Sequence, residues 1–301
     1  MYSGILENLL NIHPIIPIII SLILYSGVIR FGEFIYRIRY LKEIFKNISE
    51  IRYQKGIIGF NIILIFTYPI SLYNHNNIIF FKILSSTLLI LGIQKIYFIS
   101  KSIFNYISKK KIKFPIFKPY SSEVLVYLLL AAYFFICLFP ISHADSVDYH
   151  LNLAKRFVTE DIFYMDIFDP LRILGGGGET LIAIGLVYNS DNFANFVQYA
   201  GLVSLFGIFK KLDSNKKNDS NLFYFLILIS SPLLLHFLTS SKPQFLHIAS
   251  NALSFLICFQ IIKNIITNEK IIKISILLIS ILLINSVNAK YSFIIPVFLI
   301  S

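Results

Sequence analysis

The feature that most constrains this chain is its succession of long apolar runs. They cover about 15–29, 57–73, 78–99, 124–139, 193–209, 222–238, 245–262 and 274–287, and another opens at Tyr291. Runs of this kind read as helices that cross a bilayer, for which roughly 20 apolar residues are needed. The composition agrees: 56% of residues are apolar, mean hydropathy is +0.73, and only 14% are charged. Ordinary soluble domains carry about a quarter charged residues and are excluded.

The basic residues decide how the runs are threaded. A net charge of +11 suggests nucleic acid at first sight. That is rejected, because the Lys and Arg residues fall in short clusters between apolar runs, as cytoplasmic loops require. The clusters are Arg30 to Lys55, Lys101 to Lys118, Lys210 to Lys217, and Lys263 to Lys273. They alternate with positions poor in Lys and Arg at 74–77, 142–179, 239–244 and 286–290. Setting the clusters in the cytoplasm puts the N-terminus, the long polar stretch and the Lys242 turn outside, in a bacterium on the periplasmic side of the inner membrane.

The expected fold is therefore all-α: a polytopic transmembrane helix bundle with a long extracytoplasmic loop carrying amphipathic helices. Residues 1–122 supply N-terminal spans and basic loops, and 123–301 form the module that carries the loop 142–179. The basic stretch from Arg30 places Phe34, Ile38, Leu41, Ile44, Phe45 and Ile48 at helical spacing. It reads as an amphipathic helix on the cytoplasmic surface or as a plain helix packed on the spans. Residues 181–188 are apolar but too few to cross, so a re-entrant or interfacial helix is expected. The run from Tyr291 stops at Ser301 after about half a span and reads as part of a longer protein. Cys137 and Cys258 lie in apolar runs, where a buried, inert role is the simplest.

The stretch 142–179 concentrates the chemistry. It holds His143, Asp145, Asp148, His150, Glu160, Asp161, Asp166 and Asp169, together with Lys155, Arg156, Arg172 and the run Gly175 to Gly178 before Glu179. Loops this long usually have a function. Residues 146–158 form an amphipathic pattern whose apolar side is Val147, Leu151, Ala154 and Val158. Asp148 and Asn152 share a helix face, as do Asp145, Tyr149 and Asn152. The two Asp and two His match no fixed metal-ligand spacing, and no metal residues are assigned. Backbone N–H groups after the glycine run could cradle a phosphate, although four glycines are also simply flexible.

The segment His143-Ala-Asp-Ser-Val-Asp-Tyr-His-Leu-Asn-Leu-Ala-Lys-Arg-Phe157 resembles the first extracytoplasmic loop of GT-C-type membrane glycosyltransferases. These include the dolichyl-phosphate-mannose protein mannosyltransferases and the lipid A aminoarabinose transferases. Asp145 and Tyr149 match an Asp and a Tyr of that loop, and Lys290-Tyr291 resembles a Lys-Tyr at the start of a later helix. The similarity runs from about Val124 to the end. Ser146 stands where many relatives have Glu, the turn Ser240-Ser241-Lys242-Pro243-Gln244 lacks their acidic residue, and three extra spans precede the loop.

The resemblance implies an enzyme, a glycosyltransferase that moves a sugar from a polyprenyl-phosphate-linked donor to an extracytoplasmic acceptor: a glycan, lipid or protein. It implies Asp145 as general base, although Asp145 also suits a helix N-cap. Asp148, Tyr149, His150, Glu179 and Gln244 are the expected substrate contacts. Lys155 and Arg156 suit a donor phosphate or ordinary lipid headgroups, and Lys242 suits the leaving phosphate. Whether a divalent cation takes part is left open. The other classes are a flippase or transporter of a lipid-linked saccharide, which would need a polar path at mid-membrane depth, and a non-catalytic GT-C-like membrane protein.

Overall fold

The structure is a computed structural model. It describes residues 15–46, 48–73, 77–108, 121–141, 143, 146–159, 176–216, 220–242, 244–289, 293–295 and 300. Among these residues there is no strand, and the architecture is an all-α bundle. Its helices are α1 (Ile15–Ile35), α2 (Arg39–Phe45), α3 (Ile51–Tyr73), α4 (Asn77–Ser108) and α5 (Ser122–Ile136). A π-helical turn (Ser146–Leu151) leads into α6 (Asn152–Thr159). Then come α7 (Gly177–Leu186), α8 (Phe193–Lys216), α9 (Ser220–Ile229), α10 (Pro232–Thr239), α11 (Gln244–Ile262) and α12 (Glu269–Ala289).

By length and composition, α1, α4, α11 and α12 can each cross a membrane, and α9 with α10, bent by 63° at the break between them, makes either a broken span or a re-entrant loop. This is a membrane protein. The bend has a local cause. Pro232 opens α10, and a proline cannot continue the hydrogen-bond ladder of the preceding helix, so Ser230 and Ser231 become a break. The run 222–238 is thus two helices instead of one straight span.

The hydrogen bonds show that the helices alternate in direction. One end of the bundle, here the basic end, joins Glu33 of α1 to Lys55 of α3 and Lys95 of α4, and Lys210 of α8 to Glu123 of α5. The opposite end, here the loop end, joins Ser21 to Ser190, Ser85 to the Ile184 carbonyl, and Thr67 to Thr180. Between the ends, α3 is the hub. Gln54 donates to the Ser204 carbonyl at 2.9 Å. Asn61 donates to Ser250 at 3.0 Å and accepts from Asn285 at 3.1 Å. In hydrocarbon such groups have no water to turn to, so they bond across helices, each pair contributing on the order of 1 kcal/mol.

The fold corrects three local expectations. The stretch after Arg30 is not one surface helix: α1 runs on to Ile35, and the short α2 buries Leu41, Ile44 and Phe45 while Phe34 and Ile38 stay exposed. The helix 177–186 is shorter than a span, as expected, but it is enclosed on all sides instead of interfacial, with residues 177–185 all buried. The loop helix begins as a π-turn. Its wider winding carries Val147 out of the apolar side, where it is exposed, and the buried set becomes Leu153, Ala154, Phe157 and Val158.

Candidate functional site

At the loop end the chain leaves α5 through Pro140 and reaches His143, whose carbonyl accepts the N–H groups of Ser146 and Val147, both at 3.0 Å. The π-turn starts there. Such turns carry one extra residue per loop of hydrogen bonds and are frequent at functional sites. Ser146 is fully buried and bonds the Lys242 turn twice. Its Oγ accepts the Ser241 N–H at 3.2 Å, and its carbonyl accepts the Ser241 hydroxyl at 3.3 Å. Two segments 95 positions apart are thereby fixed side by side. Asp145 lies outside the described residues, as do 160–175, Pro243, Lys290 and Tyr291.

Four residues on, His150 meets Glu179 of α7. The imidazole Nδ1 lies 2.7 Å from Oε1, and the Gly176 N–H donates to Oε2 at 3.0 Å. The carboxylate accepts from both, so the imidazole donates from Nδ1. Glu179 was expected to contact substrate. It is buried, with both oxygens engaged by the protein, one on His150 and one on the Gly176 N–H. Its carboxylate also occupies the start of α7, where a phosphate cradle had been an option. The glycines there serve close packing: a Cβ on Gly176 would stand 2.3 Å from the Asn288 carbonyl oxygen.

The outward face of the same helix differs. Val147, Asp148, Leu151, Asn152, Lys155 and Leu186 line an open groove of about 330 Å³. Asp148 and Lys155 are exposed, so one wall carries both signs of charge. Tyr149 packs edge-on against His150 with ring centroids 4.5 Å apart. Arg156 and Lys242 are partly buried, and Gln244 opens α11.

Three features had no sequence signal. The Ser146–Ser241 bonds join distant positions of ordinary type. The rings of His143 and His236 stack edge-on, 4.7 Å between centroids, which nothing in their spacing announces. His247 of α11 is fully buried, and neither ring nitrogen meets a hydrogen-bond partner among the described residues. No cluster of three or more His, Cys, Asp or Glu side chains that could hold a metal occurs among the described residues.

Neither a curated protein nor a solved structure matches the chain. The family model of the DUF1420 N-terminal domain matches residues 102–301, which take in the whole site and well over half of the chain. The protein belongs to the DUF1420 N-terminal domain family.

Proposed function

We propose that the protein is a GT-C-type membrane glycosyltransferase of a bacterial inner membrane, working at the loop end on the extracytoplasmic face. Its substrates are a polyprenyl-phosphate-linked sugar donor and an extracytoplasmic acceptor. The observation that carries the reading is the pair of hydrogen bonds between Ser146 and Ser241. Ser146 directly follows Asp145, and Ser241 directly precedes Lys242. The residue assigned as base and the cation assigned to the leaving group therefore flank one backbone junction.

The chemistry fits that placement. The acceptor oxygen bonds to the anomeric carbon while the bond from that carbon to the phosphate oxygen breaks. The polyprenyl phosphate leaves with the electron pair, and the acceptor proton passes to the Asp145 carboxylate. Lys242 stabilises the charge that develops on the phosphate, usually a large contribution. His150, oriented by Glu179, offers Nε2 to a substrate hydroxyl. Asp148 and Lys155 give the groove one acceptor and one cation for polar substrate groups.

The direct test is transfer from a labelled polyprenyl-phosphate sugar in membranes that carry the protein. Asp145→Asn is nearly isosteric and is expected to abolish transfer with expression and insertion unchanged. Retained transfer removes Asp145 as base, and lipid translocation without transfer replaces the reading with the flippase. A reporter placed within 160–169 is expected outside and one after Lys111 inside; the reverse pattern overturns the face assigned to the site.

A further inference from the structure

The densest charge cluster of the described bundle lies at the other end and plays no part in the reading above. Glu33 of α1 is held by three cations. Arg30 Nη1 is 3.0 Å from Oε2, Lys55 Nζ of α3 is 2.8 Å from Oε1, and Lys95 Nζ of α4 bonds the same oxygen. Three helices contribute because their backbones touch. A Cβ on Gly32 would stand 1.9 Å from the Lys55 carbonyl oxygen, and one on Gly92 would stand 1.9 Å from that of Ile23. Gly32 adjoins Glu33, and Gly92 lies one turn before Lys95, so the close approach forces these charges together.

The cluster is not neutral. One carboxylate faces three cations, and the four side chains are only 12–26% exposed. Arg37 adds a fourth cation nearby, its guanidinium 5.0 Å from the centre of the Phe34 ring. Neighbouring acids do not restore balance: Glu50 pairs with Arg52, and Glu43 lines a separate pocket beside α12. The Arg30 guanidinium lies over Phe34 and Phe98, 4.7 and 5.2 Å from the ring centres, and its Nε is buried without an acceptor among the described residues. Excess like charge in a half-sheltered site is unfavourable unless a counter-anion enters.

The surroundings say what kind of anion fits. Phe34, Ile38, Tyr97, Phe98 and Ile99 are exposed around the cluster. The site sits at the basic end of α1 and α4, both long and apolar enough to cross a membrane. Guanidinium and ammonium groups together are matched by phosphate oxygens, and an apolar rim is matched by acyl chains. We propose that Arg30, Lys55 and Lys95, gathered by Glu33, form a site for the phosphate of an anionic phospholipid in the leaflet at the basic end.

Glu33→Gln separates a binding site from a plain helix lock, because the two predict different behaviour. Removing the carboxylate raises the excess charge from two to three. The probe is mixed micelles holding phosphatidylglycerol and phosphatidylcholine in equal amounts, with bound lipid counted by native mass spectrometry on the full chain. The wild-type protein is expected to retain phosphatidylglycerol several-fold over phosphatidylcholine. Glu33→Gln is expected to strengthen that preference while lowering the melting temperature, and Lys95→Met to weaken it. Equal retention of both lipids by the wild type overturns the proposal without any variant. An unchanged preference in Glu33→Gln with lower stability reduces the cluster to a lock. Displacement of the lipid by millimolar inorganic phosphate makes it a free-phosphate site instead.

Discussion

The two ends of the bundle use a carboxylate in opposite ways. At the basic end Glu33 gathers three cations from three helices and leaves positive charge over. At the loop end Glu179 takes one backbone N–H and one imidazole, and its own α7 start is closed in the process. The first arrangement ties helices together and attracts an anion from outside. The second ties nothing distant except His150, and what it leaves over is a single oriented nitrogen. The same side chain thus builds a charged anchor in one place, where it is 12% exposed, and a positioned imidazole in the other, where it is 3% exposed. What decides is its partners: long flexible ammonium and guanidinium arms at one end, a rigid ring and a backbone amide at the other.

Substitutions that disturb one end and spare the other sharpen this contrast. The largest effect is expected from Asp145→Asn, complete loss of sugar transfer with lipid preference at the basic end untouched. Lys242→Met is expected next, a loss on the order of tenfold to a thousandfold if the cation stabilises the leaving phosphate only in the transition state. Both are read by initial rates in membranes, normalised to inserted protein. Equal rates for Lys242→Met and wild type would remove the cation from the mechanism and leave the Ser146–Ser241 junction as a structural clasp.

Glu179→Gln is the subtler change. The new side chain still offers an oxygen to the Gly176 N–H, so α7 keeps its cap. Its amide nitrogen then faces His150 Nδ1 and donates to it, which shifts the ring proton to Nε2. The oriented nitrogen becomes a donor instead of an acceptor. A loss of about tenfold in kcat with little change in melting temperature is expected, below the ~10²–10⁴-fold that a general acid–base group contributes, because His150 contacts substrate and Asp145 is the base. A large fall in stability with unchanged kcat would make the pair structural.

How much of this was legible beforehand follows from the range of each interaction. The crossings of α1, α4, α11 and α12 were readable because hydropathy is a local sum over some 20 residues, whereas the runs 57–73, 124–139 and 193–209, also read as crossings, gave α3, α5 and α8, which among the described residues do not reach the length and hydropathy of a crossing helix. His150 and Glu179 were each singled out from the sequence, but their contact spans 29 positions and depends on where the buried α7 lands. The break at Ser231 was readable in principle from Pro232, a strong local punctuation. The π-turn was not, since nothing in Ser146 to Leu151 marks an extra residue. Glu33 and its three cations escaped notice because Lys55 and Lys95 lie 22 and 62 positions away, beyond any local pattern.

The smallest expected effect tests the packing that creates the basic-end cluster. Gly92 and Gly56 are both helical glycines, and a Cβ meets very different surroundings at each. At Gly92 it would overlap the Ile23 carbonyl oxygen at 1.9 Å, and backbone cannot rotate aside as a side chain can. At Gly56 the nearest atom is the Ala200 Cβ at 3.4 Å, ordinary contact. Gly92→Ala is therefore expected to push α4 off α1 and destabilise by about 1–3 kcal/mol, the usual range for overpacking. Gly56→Ala is expected to be neutral or stabilising by up to about 1 kcal/mol, the helix preference of alanine over glycine. The two melting temperatures, measured in the same detergent, should move in opposite directions or differ by several degrees. Sugar transfer should survive both, because the loop end shares no hydrogen bond with Gly92 or Gly56. Equal shifts for the two variants would mean that α1 and α4 slide freely, and that Glu33, instead of the glycine contacts, sets their spacing.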